Sequence, residues 1–189
     1  MRLLTRLASK LEASAEARLQ TVMQIPREWF FEAKALRARH EQRFCDEAHF
    51  LLIAGLSIDA HETLVRHVGP DCIISGDLEP LAKVLRAFTS VDNIPNWSFG
   101  GRVYQNAIAL VEGQNTAGSH AFAKEIVKTL PSMSTSSFKQ KVAINEIGSM
   151  CLQVLPSAEN LRPKFKLASH DAFSVKAHSA LQAFRSLAA

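Results

Sequence analysis

Residues 48–68 constrain the fold of this chain more than any other stretch. Apolar residues recur at three- and four-residue steps in both halves of the segment, which predicts two helices. The break between them, Gly55-Leu56-Ser57, is so short that the helices have to pack side by side as an antiparallel pair. Asp59 and Glu62 have the spacing of a capping box, so we expect Asp59 to cap the second helix and Gly69-Pro70-Asp71 to close the hairpin.

Helical periodicity extends over most of the chain, and no segment alternates convincingly with a period of two residues. The pattern therefore predicts an all-α fold. In the second predicted helix, from Pro26 to about Phe44, we expect Trp29, Ala33, Leu36 and Phe44 to be buried. Apolar stripes predict further helices over residues 2–24, 78–88, 103–111, 117–130, 138–154 and 170–187.

Short polar links near residues 90–101, 131–137 and 156–163 separate some of these helices. No fixed repeat period is strong enough to indicate TPR, HEAT or ankyrin repeats. An irregular helical solenoid of stacked antiparallel helix pairs describes the pattern best, as a single module over residues 1–189. Because the helical pattern begins at once, without a capping signal, we expect the module to be a piece of a longer protein.

Composition fits one folded domain and excludes several functional classes. The chain has 189 residues, of which 47% are hydrophobic, enough for one sizeable core. Its longest apolar run, residues 50–56, is too short to cross a bilayer, and the opening residues lack the hydrophobic segment of a secretory signal. The three cysteines are far apart and odd in number, which excludes a disulfide framework and suits a reducing compartment.

The net charge of +4 is unevenly distributed along the chain. Residues 1–45 hold nine Lys/Arg against five acids, and residues 160–189 hold five against one. The segment between them holds eight against twelve. Basic ends around an acidic middle can steer a chain to an acidic partner or to nucleic acid. Solvated helix faces explain the same charges, and we favour this interpretation.

Motifs for catalysis or cofactor binding are missing from the sequence. Gly100-Gly101-Arg102 lacks the spacing and the lysine of a phosphate-binding loop, and no G-x-S-x-G nucleophile elbow occurs. Cys45 and His49 stand four residues apart, as zinc ligands on one helical face do, but no second Cys/His pair has matching spacing. We therefore expect no catalytic residue, no cofactor and no metal site, and a protein that is not an enzyme.

Two aromatic clusters, Trp29-Phe30-Phe31 and the segment from Trp97 to Tyr104, allow two interpretations. Such clusters stack on the bases of single-stranded nucleic acid, or they anchor a core or a protein interface. Neither cluster is interleaved with Lys or Arg as a nucleic-acid groove is, so we favour core or interface anchors.

Three stretches carry a resemblance to a known family: residues 59–71, Ile73-Ile74, and residues 97–104, which read Trp-Ser-Phe-Gly-Gly-Arg-Val-Tyr. They resemble the carboxy-terminal (tail) part of the scaffold nucleoporins released by autoproteolysis of the GLFG nucleoporin precursor. This is the Nup-ninety-six class, within the ancestral coatomer element family. The resemblance is dense from about Phe50 to Tyr104 and thinner elsewhere.

This resemblance implies a structural scaffold subunit of the Y-shaped coat complex at the nuclear pore complex, in the nucleus. Its implied partners are other helical scaffold nucleoporins, above all the C-terminal helical region of a hub subunit, and its implied role is to support mRNA export and protein transport. We expect no small-molecule substrate, no membrane insertion and no direct binding of nucleic acid. A COPII-related vesicle-coat scaffold, and a nucleic-acid-binding helical domain that uses the basic ends, are the alternatives.

The last predicted helix is the first candidate for the contact with a partner. Its apolar stripe includes Phe173, Leu181, Phe184 and Leu187, and a terminal amphipathic helix can dock in a groove of a partner. Trp97 and Tyr104 are the second candidates. Alternatively, the last helix caps the solenoid of its own chain.

Overall fold

Helices account for almost all of the regular structure. A computed structural model of the protein describes residues 13–113, 117–133 and 136–155, and none of these residues forms a β-strand. The prediction of an all-α fold is confirmed. The α-helices are α1 (Ala13–Met23), α2 (Arg27–His40), α3 (Phe44–Ile53), α4 (Ser57–Thr63), α5 (Gly69–Ser75), α6 (Glu79–Arg86), α7 (Gly101–Glu112), α8 (Ala117–Thr129) and α9 (Phe138–Val154). A π-helical turn, Leu64–Val68, and two 3-10 turns, Trp97–Phe99 and Leu130–Ser132, occur between them.

Most helices pack on their neighbours in the chain, and α9 also folds back on the middle of the structure. α2 contacts α3, α3 contacts α4, and α7 contacts α8. α9 contacts α8 and also α5, which lies far earlier in the sequence. The largest buried cluster joins these helices through almost fully buried side chains: Leu64, Leu81, Tyr104, Ile126 and Ile147. The hairpin predicted for residues 48–68 is present as the α3–α4 pair.

Residues in the left-handed conformation end two of the helices in the Schellman geometry. After α3, Gly55 has φ +78°, and the N–H of Leu56 donates to the carbonyl of Leu51 at 2.9 Å. Gln42 ends α2 in the same way, with φ +58°. The predicted extension of this helix to Phe44 is therefore wrong, because Phe44 is the first residue of α3. A left-handed glutamine lacks the sequence signal that glycine provides.

A side-chain cap is present at α9 but not at α4. The N-cap of α4 is Leu56, and the chain is already helical two residues before Asp59, so the predicted capping box of Asp59 and Glu62 is wrong. At α9, Ser137 Oγ accepts the N–H of Gln140 at 3.1 Å, and Gln140 Oε1 accepts the N–H of Ser137 at 3.0 Å. This pair is a complete capping box, which the polar link before α9 supplies.

The helix that begins as α4 does not end at Gly69-Pro70-Asp71, as predicted, but continues through α5. A proline inside an α-helix lacks the N–H for the helical bond, and its ring clashes with the carbonyl four residues earlier. The chain widens here into the π turn Leu64–Val68, where the N–H of Gly69 donates to the carbonyl of Leu64. Pro70 then occupies the first turn of α5, a position that tolerates proline.

The π turn leaves the backbone carbonyl of Val65 without a donor from its own helix. The next donor in the π pattern is residue 70, which is a proline, and the N–H of the residue before it is already bonded. Gln140 of α9 supplies the missing donor, because its Nε2 lies 3.2 Å from the Val65 oxygen. Beside it, Lys139 forms an ion pair of 2.6 Å with Asp71. The first turn of α9 is thus fixed on the α4–α5 helix.

The face that α2 turns to the core agrees with the prediction at Ala33 and differs from it at the large side chains, while Phe44 is half-buried. Trp29 and Leu36, which we expected to be buried, are 48% and 44% exposed, whereas Phe30 is 2% exposed. The other buried residues of α2 are alanines: Ala33, Ala35 and Ala38. Because a face of small side chains packs closely against α3, the spacing of the large apolar residues was a poor guide to the buried side.

Part of the predicted organisation falls on segments that the structure describes incompletely. The predicted link near residues 90–101 belongs to the connection between α6 and α7, and buried Ile94 and Trp97 anchor it on the core. Residues 1–12, the link at 156–163 and the predicted helix at 170–187 lie outside the described residues.

We expect Gln140→Ala to lower the free energy of unfolding by about 1–3 kcal/mol, because the Val65 carbonyl loses its donor. Pro70→Ala gives residue 70 an N–H that can reach this carbonyl, so the loss should be smaller in the Pro70→Ala background. Urea denaturation of the four proteins of this double-mutant cycle measures the difference. Gln140→Ala also removes the side-chain hydrogen bond of the capping box, but this loss is the same in both backgrounds and cancels in the cycle. Lys141→Ala, which changes the next residue of α9, is the control. Equal losses in the two backgrounds contradict this account of the π turn.

Candidate protein-interaction surface

Trp97 and Tyr104, the two predicted interface residues that the structure describes, lie in the core. Their side chains are 8% and 1% exposed, and both belong to the largest buried cluster. Burial raises the pKa of Tyr104 well above its ordinary value. Neither side chain has surface to offer a partner in this structure, so we do not retain them as contact residues. Phe173, Leu181, Phe184 and Leu187 lie outside the described residues.

Residues from the stretches that carry the resemblance meet in space, in a group that we call the signature cluster. Its members are His61, Gly69, Trp97, Gly100, Gly101 and Tyr104. A Cβ atom at Gly69 would lie 2.3 Å from the ring of Tyr104, and one at Gly101 would lie 2.5 Å from the ring of Trp97. Only glycine fits at such distances without a shift of the ring. In this cluster, therefore, aromatic rings pack directly against the backbone of glycine residues.

His61 holds the start of α7 from within the signature cluster. Its Nε2 accepts the N–H of Gly101 at 3.1 Å, and its ring centre lies 5.2 Å from that of Trp97. Because Nε2 is the acceptor, the imidazole is neutral and carries its proton on Nδ1. Burial lowers the pKa of His61, which favours the same neutral form. This histidine acts as a structural hydrogen-bond acceptor.

The described cysteines and histidines do not assemble a metal site. Within residues 13–113, 117–133 and 136–155, no three His, Cys, Asp or Glu side chains come together as possible ligands. Cys45 instead interacts with Cys72, and this interaction between the two thiols lowers the pKa of Cys45 and raises that of Cys72. His49, the other residue of the ligand-like pair, is exposed.

Large apolar side chains reach the surface on several helices. Besides Trp29 and Leu36, they include Val22, Met23, Ile53, Ile58, Phe99, Phe138 and Leu152. Ile58 and Phe99 line a groove of about 400 Å³, together with half-buried Val65. Exposed apolar side chains that share a groove are typical of surfaces that bind other polypeptides. In the part of the chain that the structure describes, no helix has the length and apolar character of a membrane span.

A second depression, which we call the acidic cleft, is lined by residues of α2, α3, α4 and the π turn. Its volume is about 450 Å³, and its charged residues are Glu32, Arg39, Glu47, Asp59, Glu62 and Arg66. The Glu47 carboxylate is 1% exposed, and its Oε1 accepts from Arg39 Nε at 2.6 Å and from Thr63 Oγ1 at 3.0 Å. Its Oε2 is buried and has no hydrogen-bond partner among the described residues. The sequence analysis missed this cleft, because helical spacing does not show which helices converge.

Comparison with known proteins identifies nucleoporins as relatives, although no protein-family model matches the sequence. Over 141 residues, 72% of its length, the chain is 33% identical to Nucleoporin nup189 of Schizosaccharomyces pombe. Over 145 residues, 74% of its length, it is 26% identical to Nucleoporin NUP145 of Chaetomium thermophilum. Over 88 residues, 44% of its length, it is 31% identical to Nuclear pore complex protein Nup98-Nup96 of Drosophila melanogaster.

These relatives are much longer proteins. The matched segment spans 8% of the Schizosaccharomyces and Chaetomium proteins and 4% of the Drosophila protein. The predicted resemblance to nucleoporins is confirmed at the level of this group of proteins. The predicted location at the nuclear pore complex agrees with these relatives.

We expect Gly69→Ala to lower the free energy of unfolding by about 3 kcal/mol, because its Cβ meets the buried ring of Tyr104. Gly55→Ala is the matched control, since a Cβ there meets nothing within 4 Å although φ is +78°. The control should lose about 1 kcal/mol, the cost of the left-handed conformation. Urea denaturation measures both, and similar losses would mean that the contact with Tyr104 does not set the requirement for glycine.

We expect the protein to lose stability as the pH falls below about 6.5, in part because His61 must stay neutral when folded. Below that pH, His61 binds a proton in the unfolded chain but stays unprotonated in the folded chain, so acidification favours unfolding. His61→Gln removes this proton but keeps an acceptor for Gly101, so its stability should fall less between pH 7 and pH 5. Exposed His40→Gln is the control. Identical pH profiles for the wild type and His61→Gln rule out this role.

Proposed function

Because the relatives of this chain are nucleoporins, we propose that it is the tail module of a scaffold nucleoporin of the Nup-ninety-six class, at the nuclear pore complex. In this role it binds other helical scaffold nucleoporins of the Y-shaped complex, chiefly the C-terminal helical region of a hub subunit. It thereby supports mRNA export and protein transport. The observation that carries the proposal is 33% identity to a nucleoporin over 72% of the chain.

The arrangement of the described residues suits a module that acts by binding alone, without catalysis or a cofactor. In the signature cluster, aromatic rings pack against backbone atoms, and the buried side chain of His61 serves as a hydrogen-bond acceptor. The groove with Ile58 and Phe99 supplies apolar surface outside this cluster. Rigid packing inside and apolar side chains outside are the properties that a scaffold subunit requires.

The C-terminal stripe of Phe173, Leu181, Phe184 and Leu187 is the proposed first contact with the partner. It has the spacing of the apolar face that a helix lays into a groove. Its opposite side carries Lys176 and other polar residues, which suits a helix that is covered on one side only.

We expect the purified 189-residue chain to co-elute with a Y-complex hub subunit in size-exclusion chromatography. The double variant Leu181→Asp/Phe184→Asp should weaken this binding by about tenfold or more, because it places charges in an apolar contact. Lys176→Ala, on the opposite side of the stripe, is the matched control and should bind like the wild type.

Two other outcomes would overturn the proposed function. One is a chain that ignores the hub subunits while it binds cage-forming COPII coat proteins. The other is a chain that ignores them but shifts short RNA or DNA in a salt-dependent manner, as the basic ends allow. Wild-type affinity in the double variant would refute the C-terminal stripe as the contact.

A further inference from the structure

Two of the three cysteines, although far apart in the sequence, meet in the fold. Cys45 lies in the first turn of α3 and Cys72 lies in α5, and the two side chains contact each other as free thiols. Cys45 also packs against the largest buried cluster, to which Cys72 belongs. The residues beside them show the same approach of the two elements, because the ring of Phe44 stacks on that of His67 with the centres 3.9 Å apart. We call Cys45 and Cys72 the thiol pair.

The cysteines differ in their access to solvent. Cys45 is half-buried, whereas Cys72 is buried, so a small oxidant in solution reaches Cys45 first. Cys151, the third cysteine, is buried in α9, and burial raises its pKa to about 11. A buried thiol with a raised pKa is chemically inert. Reactivity is therefore expected at the thiol pair and not at Cys151.

The surroundings of Cys45 favour its thiolate, the form of cysteine that reacts with peroxides. The interaction with Cys72 is the main cause that lowers the pKa of Cys45. The start of α3 adds the positive end of a helix dipole at the same place. Burial and three carboxylates act in the opposite direction without cancelling the effect, those of Asp46, Asp71 and Asp77.

Cys72 is placed to react second. Its pKa is raised, first by Cys45 and then by burial, so it stays a thiol while Cys45 is a thiolate. Oxidation of Cys45 to an uncharged sulfenic acid weakens the first of these causes. A backbone hydrogen bond from Leu81, in the first turn of α6, already favours the thiolate of Cys72. The second thiol thus becomes more reactive once the first is oxidised.

We propose that Cys45 and Cys72 form a reversible disulfide when the protein meets hydrogen peroxide. The Cys45 thiolate attacks one oxygen of the peroxide and the O–O bond breaks, which gives Cys45 sulfenic acid and, with one proton, a molecule of water. The Cys72 sulfur then attacks the Cys45 sulfur, the S–O bond breaks, and the hydroxyl group leaves as water with the proton of the Cys72 thiol. The two thiols lose two electrons, and the peroxide is reduced to two molecules of water.

The disulfide connects α3 to α5 and closes a loop over residues 45–72, which contains α4 and the π turn. A cross-link over such a loop restricts the unfolded chain and so stabilises the folded one. In the reducing compartment expected from the cysteine content, the pair rests as two thiols, and the bond forms only when peroxide is present. Formation of the bond requires no partner, so it is independent of the proposed function.

The test treats the reduced 189-residue chain with a slight molar excess of hydrogen peroxide and then labels free thiols with N-ethylmaleimide in urea. Mass spectrometry should find all three cysteines labelled in the untreated protein, and only Cys151 labelled in the treated protein. A non-reducing digest should contain two peptides joined through Cys45 and Cys72, which dithiothreitol separates. The oxidised protein should unfold at a higher urea concentration, and dithiothreitol should reverse this shift.

Two variants and one change of conditions serve as controls. Cys151→Ser should form the disulfide as the wild type does. Cys45→Ser should keep both remaining thiols labelled and show no shift in its urea midpoint after peroxide. The wild type oxidised in urea should give a mixture of pairings that includes Cys151, because only the folded chain holds Cys45 against Cys72.

Four results contradict the proposal. They are full labelling of all cysteines after peroxide, further oxidation of Cys45 while Cys72 stays labelled, a disulfide that involves Cys151 or a second chain, and the same mixture of pairings in the folded and the unfolded protein. Because the digest of the wild type distinguishes all four, the test does not depend on the folding of Cys45→Ser.

Discussion

The missing N–H of Pro70 is the constraint on which the arrangement of the helices depends. Because a proline cannot continue the α-helical bonds of α4, the chain passes through a π turn and leaves the carbonyl of Val65 without a local donor. Gln140, 75 residues later, provides that donor from the first turn of α9. Its own position is set by the capping box with Ser137. A local defect in one helix thus fixes the packing of another.

The segment from α4 to α5 also holds α7 in place. Several helices of the described structure therefore pack against this one segment. His61 accepts the first N–H of α7, and Gly69 takes the ring of Tyr104 against its backbone. Val65, between them, is the contact with α9. Since three faces of one helical segment are occupied by backbone and ring contacts, few side chains fit there. His61, Gly69 and Tyr104 all belong to the stretches that carry the resemblance.

Periodicity predicted the helices well where one large apolar stripe meets the core, as in α6, α7 and α9. It failed where another interaction decided the geometry. Gln42 ends α2 in a conformation usually marked by glycine, and the alanines of α2 are buried in place of Trp29. The π turn requires a partner for Val65 that lies far away in the sequence, which no local pattern reveals. The acidic cleft is equally non-local, because Arg39, Glu47 and Thr63 belong to different helices.

The two kinds of surface on this module suit different parts of molecular recognition. Apolar contacts, such as those of the groove with Ile58 and Phe99, supply most of the free energy of association but discriminate poorly between apolar partners. Charged groups such as those that line the acidic cleft discriminate more strongly, because a partner that covers them without a matching charge leaves a desolvated charge unpaired. Charged and apolar groups on one surface together therefore favour one partner over others of similar apolar character.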